Sequence, residues 1–429
     1  MWPWILFLGY FGLFIWIINR VSFFRFSTLP KWISAVLFCL KVGAGFALYY
    51  IYTFYYTDHE HSDTWKYFND AKSIYSWCFD QPEIGWRFLW GIDLNSPEVQ
   101  PFIDQLHGWT NPYTYGLSHD GPTIVRINLI MMFFSGGFYP IHILFMCFLS
   151  LAGLRALHRV FESRMAAAPW ITVGLLFLAP SLLFWSSGVL KEAPLIGALG
   201  FLWWSFDELL HGKKTILVFV KLLLAIYLMY WLKEYVLLCC LPALFFLLIL
   251  KIGKGIKPLY VFLLTQSIVI LFALHPGPFY SAGNLVYVLQ KKQTDFYNVS
   301  NEMAAGSVIE LPTVKSDIDL LIHFPQAFAV TFFRPFMGEA NGAVAQLSAI
   351  ENSFYGLVFL LALWSIGKRV KVSDMWWASL SVILFSALII GNSVPVLGAV
   401  VRYKIAALPF FLFWCWSVII PLWKKSANH

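Results

Sequence analysis

The stretch that decides the fold runs from Trp32 to Ala71 and reads WISAVLFCLKVGAGFALYYIYTFYYTDHEHSDTWKYFNDA. Its first part is apolar and long enough to cross a bilayer. Its second part is crowded with ionisable side chains, although only 12% of the whole chain is charged. We therefore expect a membrane scaffold that holds this acidic, histidine-bearing segment at one face of the bilayer. The ionisable residues concerned are Asp58, His59, Glu60, His61, Asp63 and Asp70.

Composition supports the same fold class. The chain has 429 residues, is 59% hydrophobic and has a mean hydropathy of +0.69. A soluble protein carries about 25% charged residues. The 20 Trp, 20 Tyr and 41 Phe fit a membrane protein, since aromatic residues are favoured at both membrane interfaces. The sequence predicts an all-α, polytopic transmembrane helical bundle, with residues 1–429 forming a single integral membrane domain.

Apolar runs of about 17 to 25 residues alternate with polar turns and predict about eleven spans. Lysine and arginine gather in alternate turns, which places those turns and the C-terminus on the inner side. The same rule accounts for the net charge of +7 without any nucleic-acid partner. The expected spans are about 2–18, 32–56, 138–157, 170–188, 193–210, 215–232, 235–250, 259–274, 343–366, 375–390 and 405–423.

Two long polar segments are expected to be outer loops, at about residues 57–122 and 275–331. The first carries ten acidic residues against three basic ones, which fits an outer face. Residues 123–134 after it are apolar but too short to span, so we expect a re-entrant or interfacial helix there. A short surface helix is expected at about 317–324.

The ionisable residues outside the inner turns are the candidates for chemistry. They are expected at the outer ends of helices, where they could converge on one outward-facing cavity. A charge near hydrocarbon is costly unless it is paired or wet, so such residues are functional candidates. The alternative is that they cap helix ends and extend to the lipid headgroups. The candidates beyond the acidic segment are Lys191, Glu192, Lys233, Glu234, Arg334, Glu339, Arg402 and Lys404.

The acidic segment itself has three interpretations. Asp58, Asp63 or Asp70 could act as a general base, which must reach the proton that it removes. Asp58, His59, Glu60, His61 and Asp63 could instead hold a divalent cation, since carboxylate and imidazole suit Mg, Mn or Zn. The third interpretation is a solvated outer face. The spacing is not a specific metal signature, so no metal ligand is assigned and the cofactor stays open.

Four segments taken together resemble bacterial polytopic glycosyltransferases of the GT-C type, in particular a little-characterised envelope family. The similarity spans about residues 52 to 421, and its motifs are specific as a set. The segments are SDTWKYFNDA at 62–71, APSLLFWSSGVLKE at 179–192, FRPF at 333–336, and RYK at 402–404 ahead of LPF at 408–410.

The resemblance implies a site and a substrate class. An acidic residue of the first outer loop would be catalytic base or metal ligand, here Asp58 or Asp63, although the paired acids of the family are a diffuse cluster in this chain. The donor would be a lipid-phosphate-linked sugar, in a bacterial cytoplasmic membrane. Glu192 would match the acid that follows the fourth helix. The basic residues that would bind the donor phosphate are Lys191, Arg334, Arg402 and Lys404.

Other functions stay open at this point. An O-antigen-type polymerase would also use two large outer loops with arginines and a lipid-linked glycan. A secondary transporter or flippase would place ionisable residues near the midplane of broken helices, where Lys41 is the main candidate. A non-catalytic envelope scaffold would tolerate alanine at Asp58, Asp63 and Arg334. The partners expected are a lipid-linked sugar donor and membrane lipids.

Overall fold

The computed structural model describes residues 1–55, 62–110, 120–165, 168–253, 255–276, 283–302, 307–368 and 370–427. These residues form nineteen α-helices, with short 3-10 turns and one isolated bridge between Val308 and Val396. No β-strand occurs in these ranges. The all-α expectation is confirmed.

The described part of the first half of the chain forms ten helices, from α1 at the N-terminus to α10 at the centre of the fold. Their bounds are α1 Trp2–Arg20, α2 Ile33–Tyr50, α3 Asp63–Asp80, α4 Pro82–Trp90, α5 Gln100–Ile103, α6 Gly121–Ser135, α7 Tyr139–Glu162, α8 Pro169–Phe177, α9 Pro180–Trp185 and α10 Glu192–Leu210.

The helices of the second half include the longest one. Their bounds are α11 Ile216–Ile252, α12 Pro258–Leu274, α13 Leu285–Glu302, α14 Asp317–Ile322, α15 Phe324–Phe333, α16 Ala343–Gly367, α17 Asp374–Ser393, α18 Leu397–Tyr403 and α19 Leu408–Ala427.

Six described helices are long and apolar enough to cross a membrane. A seventh span results if the pair 397–406 and 408–422, bent by 66°, counts as one. This is compatible with a multi-pass membrane protein, but the expected eleven spans are not confirmed. The other expected spans are interrupted, shorter or richer in acidic residues. The six helices are α1, α2 with its π-helical extension to Tyr55, α7, α11, α16 and α17.

The span expected at 170–188 is two short helices, α8 and α9, rather than one. The break falls at Pro180, because proline cannot donate the backbone hydrogen bond that a continuous helix needs. The free N–H of Ser181 at the start of α9 donates instead to the Glu351 carboxylate, with N···O distances of 3.0 and 3.1 Å. A carboxylate from α16 therefore caps the helix that the proline interrupts.

The long helix α11 turns back on itself at Lys233, whose φ of −156° and ψ of 88° are not helical. Before the turn, Lys221 bonds Glu208 near the end of α10, and Lys233 bonds Glu192 at its start. After it, Cys240 lies beside Trp203 in the middle of α10. A straight helix would carry Cys240 about 10 Å beyond Glu192, on the side away from Trp203. These contacts indicate that the chain reverses at Lys233, within what counts as one of the six apolar helices.

The centre of the bundle is the contact between α7 and α10. The apolar window of α7 is 83% buried, whereas that of α1 is 17% buried, so α1 lies at the periphery. Glycines allow the two central backbones to touch. A Cβ atom at Gly153 would overlap the backbone of Ile196 and Gly197, and one at Gly200 would overlap the backbone of Gly153.

The described parts of the two expected outer loops are largely helical. In the first, α3 packs on α6, the helix after the loop, where the sequence predicts a re-entrant or interfacial helix. His142 of α7 holds α6 through hydrogen bonds with Asn128 and Ser135, at 2.8 and 2.9 Å. In the second loop, Ser316 caps the expected surface helix, α14, and α15 packs closely on α17.

We expect Gly200→Ala to destabilise the bundle by about 1–3 kcal/mol, because the added methyl group overfills the contact between α7 and α10. Thermal unfolding in one detergent measures the change. Gly12→Ala is the matched control, since a Cβ there meets no atom within 4 Å and alanine favours a helix. A Gly200→Ala protein as stable as Gly12→Ala would contradict the packing.

Candidate functional site

Arg402, near the end of the short helix α18, is the centre of the candidate site. Its Nε and Nη2 atoms donate to Oε1 and Oε2 of Glu192, at 2.7 and 3.0 Å. Its Nη1 atom donates to Oδ2 of Asp63, at 2.6 Å. The two bonds to Glu192 form the bidentate arrangement that fixes an arginine most firmly. One guanidinium thus joins the starts of α3 and α10.

Glu192 is the most deeply buried carboxylate of the site and makes the most hydrogen bonds to its basic residues among the described residues. Its side chain is 1% exposed, and Oε1 also accepts a hydrogen bond from Nζ of Lys233, at 2.8 Å. As the first residue of α10, it lies where a helix dipole favours a negative charge. The turn of α11 at Lys233 is what brings this lysine to Glu192.

A third basic residue completes the group. Nζ of Lys191 pairs with Oδ2 of Asp120 at 2.8 Å and lies 4.8 Å from the ring centre of Tyr67. Three positive and three negative side chains meet here, so the formal charges cancel, as buried charges require. We call this group the charge cluster; it consists of Asp63, Asp120, Lys191, Glu192, Lys233 and Arg402.

Asp63 is the more accessible partner of Arg402. Its side chain is 39% exposed, against 13% for Arg402. Burial of the carboxyl opposes ionisation, but the positive charges of Arg402 and Lys191 outweigh it and lower the pKa of Asp63 to about 2. Asp63 is therefore a carboxylate at neutral pH and, while Arg402 holds it, a weak proton acceptor.

A second polar group lies two residues further along the chain. Lys404 is fully buried and donates to Oδ1 of Asn352. The amide of Asn352 in turn donates to the carbonyl of Pro335, at 3.3 Å. Arg334, next to that proline, pairs with Glu339, with 3.0 Å between Nε and Oε2. The segment 402–404 thus connects the charge cluster to the Arg334 segment.

The structure gathers several of the candidate residues and separates others. Asp63, Lys191, Glu192, Lys233 and Arg402 meet in the charge cluster. Arg334, Glu339 and Lys404 belong to the second polar group. The sequence predicted one cavity for all the candidates, whereas in the structure they form two adjoining polar groups.

Asp70 lies two helical turns from Asp63 and accepts the backbone N–H groups of His107 and Gly108, at 3.0 and 2.8 Å. Burial raises the pKa of its carboxyl against the pull of these two bonds. The contacts give Asp70 the task of holding the loop at 107–108, and a catalytic role for it stays a prediction.

Most of the acidic segment at 58–63 lies outside the described residues, including Asp58. The cation interpretation involved five residues, of which the structure describes Asp63 alone; the others are Asp58, His59, Glu60 and His61. Within the described ranges, no group of three or more His, Cys, Asp or Glu side chains is arranged to hold a metal ion.

Sequence reasoning missed two acidic residues. Asp120 was counted among the loop acids without a role, because its partner Lys191 is 71 positions away. The second is Glu351 of α16, which is 8% exposed. Its carboxylate accepts hydrogen bonds from the hydroxyl groups of Ser181 and Tyr355. An acidic residue inside an apolar span is a functional candidate by itself, so the sequence alone could have identified Glu351.

Loss of Glu192 should be severe. We expect Glu192→Gln to lower the free energy of unfolding by about 3–5 kcal/mol, because Lys233 stays buried without its counter-charge and Arg402 keeps only its bond to Asp63. Thermal unfolding in detergent measures it.

Glu208→Gln is the matched control for this prediction. Glu208 lies on the same helix and also pairs with two lysines, but its partner Lys213 is 57% exposed. A larger loss in Glu208→Gln than in Glu192→Gln would contradict the assignment.

The Asp63–Arg402 pair should show a defined pH dependence. The folded pKa, about 2, lies below the ordinary value of about 4, so the pair stabilises the fold fully above pH 4 and loses this effect as the pH falls toward 2. We expect the difference in unfolding temperature between wild type and Asp63→Asn to be constant from about pH 7 to 5 and to shrink below about pH 4. A difference that already shrinks near pH 6 would contradict the pairing. Asp93→Asn, which removes an exposed partner of Arg87, should change stability little.

Comparisons with known proteins add no assignment to this geometry. No protein-family model, curated protein or solved structure was found to match the chain.

Proposed function

We propose that the chain is a multi-pass membrane glycosyltransferase. It transfers a sugar from a polyprenyl-phosphate-type donor to an envelope glycan or lipid acceptor at the outer face of a bacterial cytoplasmic membrane. The observation that carries the proposal is the charge cluster, where three basic side chains meet Asp63 of the first outer loop at the ends of apolar helices. A site of this kind suits a substrate with a charged phosphate on a hydrocarbon chain.

The reaction assigns a task to each sign of charge. The acceptor hydroxyl loses its proton to a carboxylate, and its oxygen bonds the anomeric carbon of the sugar. The bond from that carbon to the phosphate oxygen breaks, and the lipid phosphate leaves with the electron pair. Arg402, Lys191 and Lys233 stabilise the charge that develops on the leaving phosphate. Asp63 is the candidate proton acceptor, with an expected contribution of about 10²–10⁴-fold.

An apolar groove supports a lipid substrate. It has a volume of about 690 Å³ and lies between α8, α16 and α19, with Glu351 and Tyr355 in its wall. Next to Glu351, Asn352 binds Lys404, so the groove adjoins the second polar group. A polyprenyl chain in this groove would bring its phosphate toward segment 402–404.

The contacts of Lys41 do not support the transport alternative. This lysine is 1% exposed and donates to the hydroxyl of Ser186, at 2.8 Å. Its contacts indicate a buried link between α2 and the turn after α9. The polymerase alternative uses the same kind of site and differs in its donor, so the donor is what the experiment must vary.

We expect Arg402→Lys to lower sugar transfer by at least about 100-fold, because lysine cannot reproduce the bidentate bonds and withdraws donors from the leaving phosphate. The test measures transfer in membranes supplied with a polyprenyl-phosphate monosaccharide or a polyprenyl-diphosphate oligosaccharide. Transfer from the first donor supports the proposal, and transfer from the second alone indicates a polymerase.

Arg87→Lys is the matched control, since Arg87 lies in the first outer loop and pairs with the exposed carboxylates of Asp93 and Glu98. The envelope glycan profile of cells should be truncated with Arg402→Lys and normal with Arg87→Lys, at equal protein levels. A normal glycan profile with Arg402→Lys would remove the charge cluster from the reaction.

A further inference from the structure

Among the residues that the structure describes, the formal charges of the charge cluster balance, and Lys66, outside the cluster, adds a positive charge that also acts on Asp63. Each of its three basic side chains already pairs with a carboxylate, at 2.6 to 2.8 Å. A ligand phosphate would add negative charge to a balanced group whose basic side chains are largely buried, which costs free energy unless another negative charge leaves. Binding of an anion here therefore requires one carboxylate to move away.

The three carboxylates differ in how firmly they are held. Glu192 bonds both Arg402 and Lys233 and has a side chain that is 1% exposed. Among the described residues, Asp120 makes one ion pair, with Lys191, and its side chain is 36% exposed. Among the same residues, Asp63 makes one ion pair, with Arg402, and its side chain is 39% exposed. Glu192 is thus part of the frame, and the displaceable group is one of the two aspartates.

Geometry favours Asp63. Glu192 takes the Nε–Nη2 edge of Arg402, and Asp63 accepts from Nη1, the guanidinium nitrogen that does not bond Glu192. Asp63 also lies within the electrostatic reach of Lys191. Its carboxylate therefore fills the position between an arginine and a lysine that would otherwise receive a phosphate.

We propose that Asp63 is an internal stand-in for a phosphate group: its carboxylate fills the anion position between Arg402 and Lys191 until a ligand phosphate displaces it. That this phosphate belongs to a donor lipid rests on the function proposed above. The displacement itself depends only on the cluster.

Displacement would connect binding to proton transfer. While Arg402 holds it, Asp63 is a weak proton acceptor, because the pair depresses its pKa. Once the phosphate takes the Nη1 donor, the carboxylate loses its bonded counter-charge and its pKa rises from its depressed value toward the ordinary one. The side chain then becomes available to an acceptor hydroxyl only after the donor phosphate is bound.

The test is the affinity of the detergent-solubilised full-length chain for two probes, inorganic phosphate and farnesyl phosphate, measured by calorimetry at pH 7. Removal of the internal competitor should tighten binding. We expect Asp63→Asn to bind about fivefold more tightly than wild type, the factor for about 1 kcal/mol from a partly exposed pair. Asp63→Ser serves if the asparagine variant fails to fold. The probe that binds wild type more tightly shows whether the ligand is a lipid or a free phosphate.

Two control variants make the result specific. Asp93→Asn removes the same charge from the same loop away from the cluster, and its phosphate affinity should equal that of wild type. Unchanged or weaker binding by Asp63→Asn, or an equal gain in Asp93→Asn, would overturn the proposal. A gain in Asp120→Asn with none in Asp63→Asn would overturn it too and would make Asp120 the displaced group.

This experiment separates the two proposals. Tighter phosphate binding by Asp63→Asn, without sugar transfer by wild type from any polyprenyl donor, would uphold the stand-in and reject the transferase. Sugar transfer by wild type, with no gain in phosphate affinity for Asp63→Asn, would do the reverse.

Discussion

The structure depends on one guanidinium, that of Arg402, which holds two carboxylates from distant parts of the chain. Its partners Glu192 and Asp63 lie 210 and 339 positions earlier. Because unpaired buried charges are costly, α3, α10 and α18 can pack only in the arrangement that satisfies all three side chains. Lys233 and Lys191 extend the same requirement to α11 and to the loop at Asp120. The cluster is therefore both a structural junction and the candidate site.

The interruptions of the helices lie close to this junction. The helical path breaks at Pro180 before Lys191, reverses at Lys233, and bends by 66° between the segments that begin at Leu397 and Leu408. In a membrane, an irregular backbone is tolerated only where protein or water satisfies its polar groups. Here the backbone N–H of Ser181 donates to the Glu351 carboxylate, and the hydroxyl of Tyr235 donates to the backbone carbonyl of Tyr403, at 3.1 Å. The breaks place charged side chains at helix ends that a continuous bundle would keep apolar.

Electroneutrality is what joins the structure to the proposed function. A cluster with an unpaired basic side chain would bind anions directly. A cluster with balanced charges binds an anion when that anion displaces one of its carboxylates. Glu192 is too deeply held to exchange, and Asp63 is exposed enough to do so. The same exchange would unmask a carboxylate beside the newly bound phosphate, where a transferase needs a proton acceptor. The bonds that stabilise the resting fold would thus also set the order of binding and chemistry.

The sequence by itself determined where the long apolar helices lie, because the length and apolar content of a segment decide whether it can form one. Helices α7, α16 and α17 begin within a residue of their expected starts for this reason. The sequence did not show the helices α3, α4 and α13 inside the expected polar loops. It did identify Arg402, Glu192 and Asp63 as charges in unusual surroundings. Only the tertiary structure decided which charges meet: Asp120 with Lys191, Lys233 with Glu192, and Glu351 with the broken segment after Pro180. Local sequence carries no signal for such pairs, since they arise when helices far apart in the chain pack together and each buried charge must find a counter-charge.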